Sequence, residues 1–196
     1  MHSLVVSIGI ENSHFREYMM LFTESYPVQY ESNITLKDGS VVFLRPIKVT
    51  DGDLLIDLVE KLSSNSKYLR FLRSLDSLPE KLLYQLTHVN YISGFALVAT
   101  IYEDGEEKII AVARYAYSAE DNNTELAVIV RDDWQHRGLG KSLLEKIVDI
   151  GKEHGISRYI ALIAPQNKII INTLINLGYK VNCSMKSGIF HVEILV

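Results

Sequence analysis

Between residues 124 and 154 the polarity of the chain changes character three times. Residues 126–130 (Leu-Ala-Val-Ile-Val) form an unbroken apolar run, which predicts a strand buried on both faces. A polar stretch, 131–137, follows it. Beyond Gly138 the apolar residues Leu139, Leu143, Ile147 and Ile150 recur at helical spacing, which predicts an amphipathic helix over 139–154 with Gly155 as its C-terminal stop. The other elements are legible from the same kinds of signal. Residues 34–36 and 41–45 read as a hairpin about Lys37-Asp38-Gly39. Leu54, Leu55, Leu58 and Leu62 give a helix its stripe, with Thr50 and Asp53 spaced as a capping box. A second helix is expected at about 66–74 and a third from Ser77, with Pro79 in its first turn.

Three strands come next, 95–102, 108–117 and 125–130, the first two joined by an Asp104-Gly105 turn. After the long helix the pattern predicts a strand over 159–163 and a helix over 167–177 ended by Gly178. A closing hairpin, 179–185 with 189–196, turns about Ser187-Gly188. Nothing in the sequence looks like a repeat or a linker, so we expect one α/β domain with a mixed sheet over 31–196. Residues 1–30 are read as an extension. There Phe15, Tyr18, Met19 and Phe22 follow Asn12-Ser13 at helical spacing, a short helix ended by Pro27 that packs on the domain or on a second copy of the chain, a homodimer.

The 196 residues suffice for one sizeable core, and 47% hydrophobic with 22% charged residues is ordinary for a globular protein. A net charge of −4 argues against nucleic acid as the main partner. No apolar run approaches the roughly 20 residues of a membrane helix, and the N-terminus lacks a signal-peptide pattern. The single cysteine, Cys183, fits a reducing cytoplasm and is expected to be a buried, inert thiol. No Cys/His cluster has metal-ligand spacing, so no metal site is expected.

The strand–loop–helix unit carries the chemistry. Such a unit points unpaired amides and the positive end of a helix dipole at an anion, and glycines let the backbone close on it. We read it as a diphosphate cradle, with a glycine-bearing turn that binds nothing as the plainer possibility. It is not a Walker A loop, because Gln135 stands where the first glycine belongs, and a GxGxxG order is absent. What stands is Gln135-His136-Arg137-Gly138-Leu139-Gly140, a QxxGxG pattern that resembles the acetyl-CoA pyrophosphate loop of the GNAT acyltransferases. The order of elements over 34–196 is also similar to that fold, a mostly antiparallel twisted mixed sheet flanked by helices. Leu44-Arg45-Pro46-Ile47, Leu62-Ser63, Tyr68-Leu69-Arg70-Phe71, Leu86-Thr87 with Tyr91, and Ala111-Val112-Ala113-Arg114 resemble the acetyltransferase domain of bacterial and archaeal protein lysine acetyltransferases. One departure is Asn90, where that family usually has Asp.

The resemblance implies acetyl-CoA as co-substrate, held by Gln135, His136, Arg137, Gly138, Leu139, Gly140 and Lys141. It also implies backbone contacts to the acetyl-pantetheine arm from Val128, Ile129 and Val130, and a further contact from Asn167. Acetyl transfer to an amine needs a base, since a lysine ε-amine has a pKa of about 10.4. Glu125 is the only ionisable side chain in 124–130, at the mouth of an apolar strand, and it matches the family's catalytic glutamate. A lone glutamate at a solvated strand end is the plainer alternative. The place of the tyrosine acid of many GNAT enzymes holds Leu174. Arg131 and Arg137 are both candidate phosphate contacts, Arg137 the nearer to the glycines. Asp132 and Asp133 are expected to face solvent. Three readings stay open: a protein lysine acetyltransferase, an acetyltransferase for a small amine, and an acyl-CoA-binding domain without turnover.

Overall fold

The computed structural model describes residues 25–196. The helix expected around Phe15–Phe22 lies outside the described residues. Eight strands form one sheet in the order β1-β2-β3-β4-β5-β6-β8-β7. They are β1 (Ser32–Thr35), β2 (Val41–Pro46), β3 (Gly94–Glu103), β4 (Glu106–Ser118), β5 (Asn123–Val130), β6 (Arg158–Ile163), β7 (Lys180–Lys186) and β8 (Ile189–Leu195). All neighbours run antiparallel except β5 and β6. The β3–β4 connection is tight because Asp104 and Gly105 both adopt positive φ, 52° and 82°, the geometry that matches strand twist.

Among the described residues five helices flank the sheet: α1 (Gly52–Glu60), α2 (Ser64–Phe71), α3 (Glu80–Thr87), α4 (Leu139–Glu153) and α5 (Lys168–Asn176). Side chains alternate across a strand, and here that alternation separates two cores. Leu97, Ala99, Ala113, Tyr115 and Leu126 face α4, meeting Leu139, Leu143, Ile147 and Ile150. Ala96, Val98 and Val112 face the opposite way, meeting Leu55 and Leu58 of α1 and Leu83 and Leu86 of α3. Tyr26 and Tyr30 pack edge-on against Tyr91 and Phe95, and the Tyr30 hydroxyl donates to Glu153 at 2.7 Å. A Cβ at Gly151 would overlap the hydroxyl of Tyr159, so α4 has no room for any other residue there.

Three local expectations are corrected. The capping box at the start of α1 does not form. Asp51 is the N-cap, and its carboxylate is turned inward to Arg45, with oxygens 2.7 and 2.9 Å from Nη1 and Nη2. A buried guanidinium needs a partner more than a helix end open to water does. Cys183 is exposed rather than buried, because β7 is the last strand of the sheet and its burial pattern is open along nearly its whole length. Finally, β5 is not buried on both faces: only Leu126 is buried, and the other seven residues are half-covered. The reason lies in how β5 meets β6.

Candidate active site

β5 pairs with β4 along its whole length, Asn123 with Ser118 through Val130 with Ala111. With β6 it makes a single bridge, Glu125 with Ile160. Beyond that bridge no further ladder joins the two parallel strands, and we call the unpaired stretch between them the cleft. The Arg131 amide donates to Ile110 of β4 at 2.8 Å. By alternation, the main-chain groups of Glu125, Ala127 and Ile129 also point to β4, and those of Leu126, Val128 and Val130 point toward β6. Val128 and Val130 therefore present backbone groups to the cleft, and the Val130 carbonyl accepts from Gln135 Nε2 at 3.0 Å. Ile129 is placed differently. Its main chain belongs to the β4 ladder, and its side chain lines a cavity on the other face.

At the end of β5 the chain makes a short 3-10 turn, Asp132–Trp134, and enters the glycine loop. His136 (φ 62°) and Gly138 (φ 92°) take left-handed conformations that turn the backbone into α4. Gly138 is the N-cap and no side chain caps the helix. The amides of Leu139, Gly140 and Lys141 have no acceptor within the helix, and they face outward with the dipole behind them. Gly140 lets this helix start close on β5, since a Cβ there would stand 3.4 Å from Val130 Cγ2. Leu139 offers only its amide, its side chain being 1% exposed in the core. The side chains of His136 and Lys141 are exposed.

The loop is braced by groups from distant parts of the chain. Gln135 Nε2 also reaches Ser66 Oγ at 3.3 Å. Asp132 is exposed, as expected, yet its carboxylate accepts from Ser63 N, Ser63 Oγ and Ser66 Oγ at 2.7–2.9 Å, tying the turn to the start of α2. Those three donors hold its pKa low despite burial of part of the group. Arg137 stacks on Trp134 and donates to Asp38 and to the Asp133 carbonyl. Arg131 is buried between Glu103 and Asp133, which occupy its guanidinium. Lys37, in the β1–β2 turn, lies against Gly138, its Cε 3.4 Å from where a Cβ would be. That cation, far upstream in the chain, carried no signal in the sequence. Across the cleft, half-buried Asn167 precedes α5 and its side chain makes no cap hydrogen bond. Leu174 is buried in the core.

Glu125 sits at the point of divergence, half-buried, on the sheet face covered by α1–α3. Burial raises its carboxyl pKa, Arg70 pulls it back, Asp121 pushes it up again, and Arg114 opposes with the smallest effect. Arg114 leaves β4 on the same face, opposite Ala127, and Arg70 comes from α2. Both line a largely apolar cavity together with Ile47, Leu58, Phe71, Val112 and Ile129. One side of β5 thus meets the glycine loop and α4, and the other meets a carboxylate between two cations.

A family model described as the acetyltransferase (GNAT) family matches residues 64–179. The chain belongs to the GNAT acetyltransferase family. It is accordingly an acetyl-CoA-dependent N-acetyltransferase, with the mixed sheet and flanking helices of that fold. The GNAT domain of Streptomyces lividans PAT is 32% identical, with a TM-score of 0.78 covering 88% of this chain and 100% of that one. An acetyltransferase of Pseudomonas aeruginosa is 29% identical over 74% of this chain and 78% of its own length. Acetyltransferase Pat of Mycolicibacterium smegmatis is 27% identical over 83% of this chain but only 46% of its own, so this chain spans just under half of that protein. The GNAT pattern also frames Asn90. Its Oδ1 accepts from the amides of Ile92 and Gly94 at 3.1 and 3.0 Å, holding the turn in which Tyr91 takes φ 61°. A carboxylate would serve that turn equally well. Lys37 and the serine contacts of Asp132 carried no signal in the sequence, whereas Arg70 and Arg114 stood in the stretches that resemble the family, Arg70 expected on the substrate side and Arg114 as a partner for a carboxylate in the site.

Proposed function

We propose that this chain transfers the acetyl group of acetyl-CoA to a lysine ε-amine of a protein, by direct attack in a ternary complex with Glu125 as the base. The carrying observation is the placement of Glu125: a half-buried carboxylate of raised pKa at the only β5–β6 bridge, where the cleft opens. In this reading the diphosphate lies on the amides of Gly138, Leu139, Gly140 and Lys141, with Arg137 and Lys37 nearby. Gln135 shapes the loop, and His136 contributes backbone at its left-handed turn. The pantetheine arm follows β5, pairing with the main chain of Val128 and Val130 as a strand would, and meets Asn167 on the far side. Ile129 contributes to the acceptor cavity instead.

The amine then approaches from the face of α1–α3. Glu125 takes its proton, directly or through a water, and the nitrogen bonds to the thioester carbon. The oxyanion collapses, the carbon–sulfur bond breaks, and coenzyme A departs as its thiolate. Leu174 is buried where many family members have an acid, so no side chain is assigned to protonate the sulfur. Two features favour a polypeptide over a small polycationic amine. Glu125 is surrounded by two cations, Arg70 and Arg114, against one carboxylate, Asp121, and the helices beside it carry exposed aromatics, Tyr68 and Tyr84. Similarity to the GNAT domain of S. lividans PAT supports the fold and the acetyl-transfer part of the reading. The test is mass spectrometry of a lysate incubated with the protein and labelled acetyl-CoA. Label on lysine side chains supports the proposal, and label confined to small amines overturns it.

A further inference from the structure

Among the described residues, half-covered or buried arginines have carboxylate partners, with two exceptions. Arg45 is held by Asp51 and Glu107, Arg131 by Glu103 and Asp133, and Arg137 by Asp38. Arg70 and Arg114 make no ion pair among the described residues. Arg114 has one long hydrogen bond, 3.4 Å, to the Gln85 carbonyl, and Arg70 lies over the ring of Phe71. Both line the same apolar cavity and come from different elements, α2 and β4. Burial and the like charge of Arg70 push the Arg114 guanidinium down to about 10, with Glu125 opposing, and burial lowers Arg70 as well. Two half-covered cations thus share one site with a single carboxylate that acts on both. Such a surplus is unfavourable unless an anion completes it, and guanidinium is the group best shaped to bind carboxylate.

We propose that Arg70 and Arg114 form a receptor for a carboxylate on the acceptor, so that the preferred substrate bears a carboxylate within a few ångströms of the amine to be acetylated. This rests on the reading of the Glu125 face as the acceptor side. The carboxylate belongs either to an acidic residue flanking the target lysine or to a free amino acid. In both cases it anchors the acceptor while its amine faces Glu125, and the remaining positive potential favours the neutral, nucleophilic amine over the ammonium form.

The test is calorimetry on protein saturated with coenzyme A rather than acetyl-CoA, so that nothing turns over. One ligand pair is a lysine peptide with glutamate, or glutamine, beside the lysine. The other is free lysine and cadaverine, the same amine with and without a carboxylate. The carboxylate-bearing member of one pair should bind about tenfold more tightly, and R70Q and R114Q should each erase that difference. Unchanged coenzyme A affinity reports that each variant is folded. Equal binding within both pairs overturns the proposal, as does a preference that persists in both variants. A failure of acetyl transfer would instead count against the catalytic reading, since binding under these conditions requires no transfer.

Discussion

Replacing Glu125 by glutamine tests the catalytic reading most directly, because the amide keeps the shape of the side chain and loses only its basicity. General-base catalysis contributes roughly 10²–10⁴-fold, so kcat should fall by that factor, equivalent to about 2.7–5.4 kcal/mol of barrier. Coenzyme A affinity should not change, since the glycine loop lies at the other end of β5. The pH profile supplies the second half of the test. Burial raises the Glu125 pKa above its ordinary 4.5, so kcat/KM of the wild type should fall with unit slope as pH drops through that raised value. The glutamine variant should lack this limb. Arg70 lowers the same pKa, so Arg70→Gln should move the limb to higher pH. The stability consequence has a definite sign. A carboxyl whose folded pKa is raised contributes most below its unfolded pKa and progressively less as pH rises through the folded one. Glu125→Gln should therefore have a higher Tm than the wild type at pH 7–8, with the gap closing in acid. Unchanged kcat, or a fall in kcat matched by a loss of coenzyme A affinity, would refute the assignment.

Asp51→Ala removes the bidentate partner of the buried Arg45 guanidinium and leaves it only half-exposed Glu107, so stability should fall by about 3 kcal/mol in urea titration, the low end for a broken buried pair. Gly151→Ala places a methyl group in the Tyr159 hydroxyl, and overpacking of that kind should remove about 1–3 kcal/mol, read as a lower Tm with the acetyl-CoA KM unchanged. Gly138→Ala forces a Cβ into φ 92° at the helix entrance and should weaken coenzyme A binding more than about tenfold if the loop deforms, measured by calorimetry. Asp132→Ala frees the start of α2, which carries Arg70. It should lower stability by about 1 kcal/mol and raise the acceptor KM more than that of acetyl-CoA.

The elements and their order follow from hydrophobic periodicity because the two cores impose it strictly. The α4 stripe is continuous, and the buried positions of β3 and β4 alternate between helices on opposite faces. What misled was the 126–130 run. An unbroken apolar strand signals two covered faces, but the cover can be a ligand as well as protein, and sequence does not distinguish them. Cys183 shows a related limit, since apolar neighbours do not tell which strand ends the sheet. Within the site, Glu125 and the glycines were legible because they lie together in the chain. Lys37 and Asp132's contact with Ser63 were not, because their proximity arises only on folding. The Arg45–Asp51 pair likewise overrode a local capping signal through a contact six residues long in sequence but fully buried in space.

In the proposed reading a single strand serves both halves of the reaction, and the divergence of β5 from β6 makes that possible. A parallel pair continued past Glu125 would use the main chain of Val128 and Val130 in the sheet, leaving nothing for a thioester arm to pair with. The same divergence leaves a gap in the sheet through which a group bound along the α4 side can be reached from the α1–α3 side. Glu125 stands at the last paired position, so its backbone is fixed by strands on both sides while its side chain borders the opening. A base one turn of the pleat further along would sit on a strand held from one side only, and one residue either way would face α4. The Asp132 contacts extend this logic to the loop: the turn that leads into the glycines also fixes the first turn of α2, and through it Arg70. In the proposed reading cradle, cleft and Arg70 are thus positioned by one continuous segment, which is why substitutions at its two ends should separate co-substrate binding from acceptor choice.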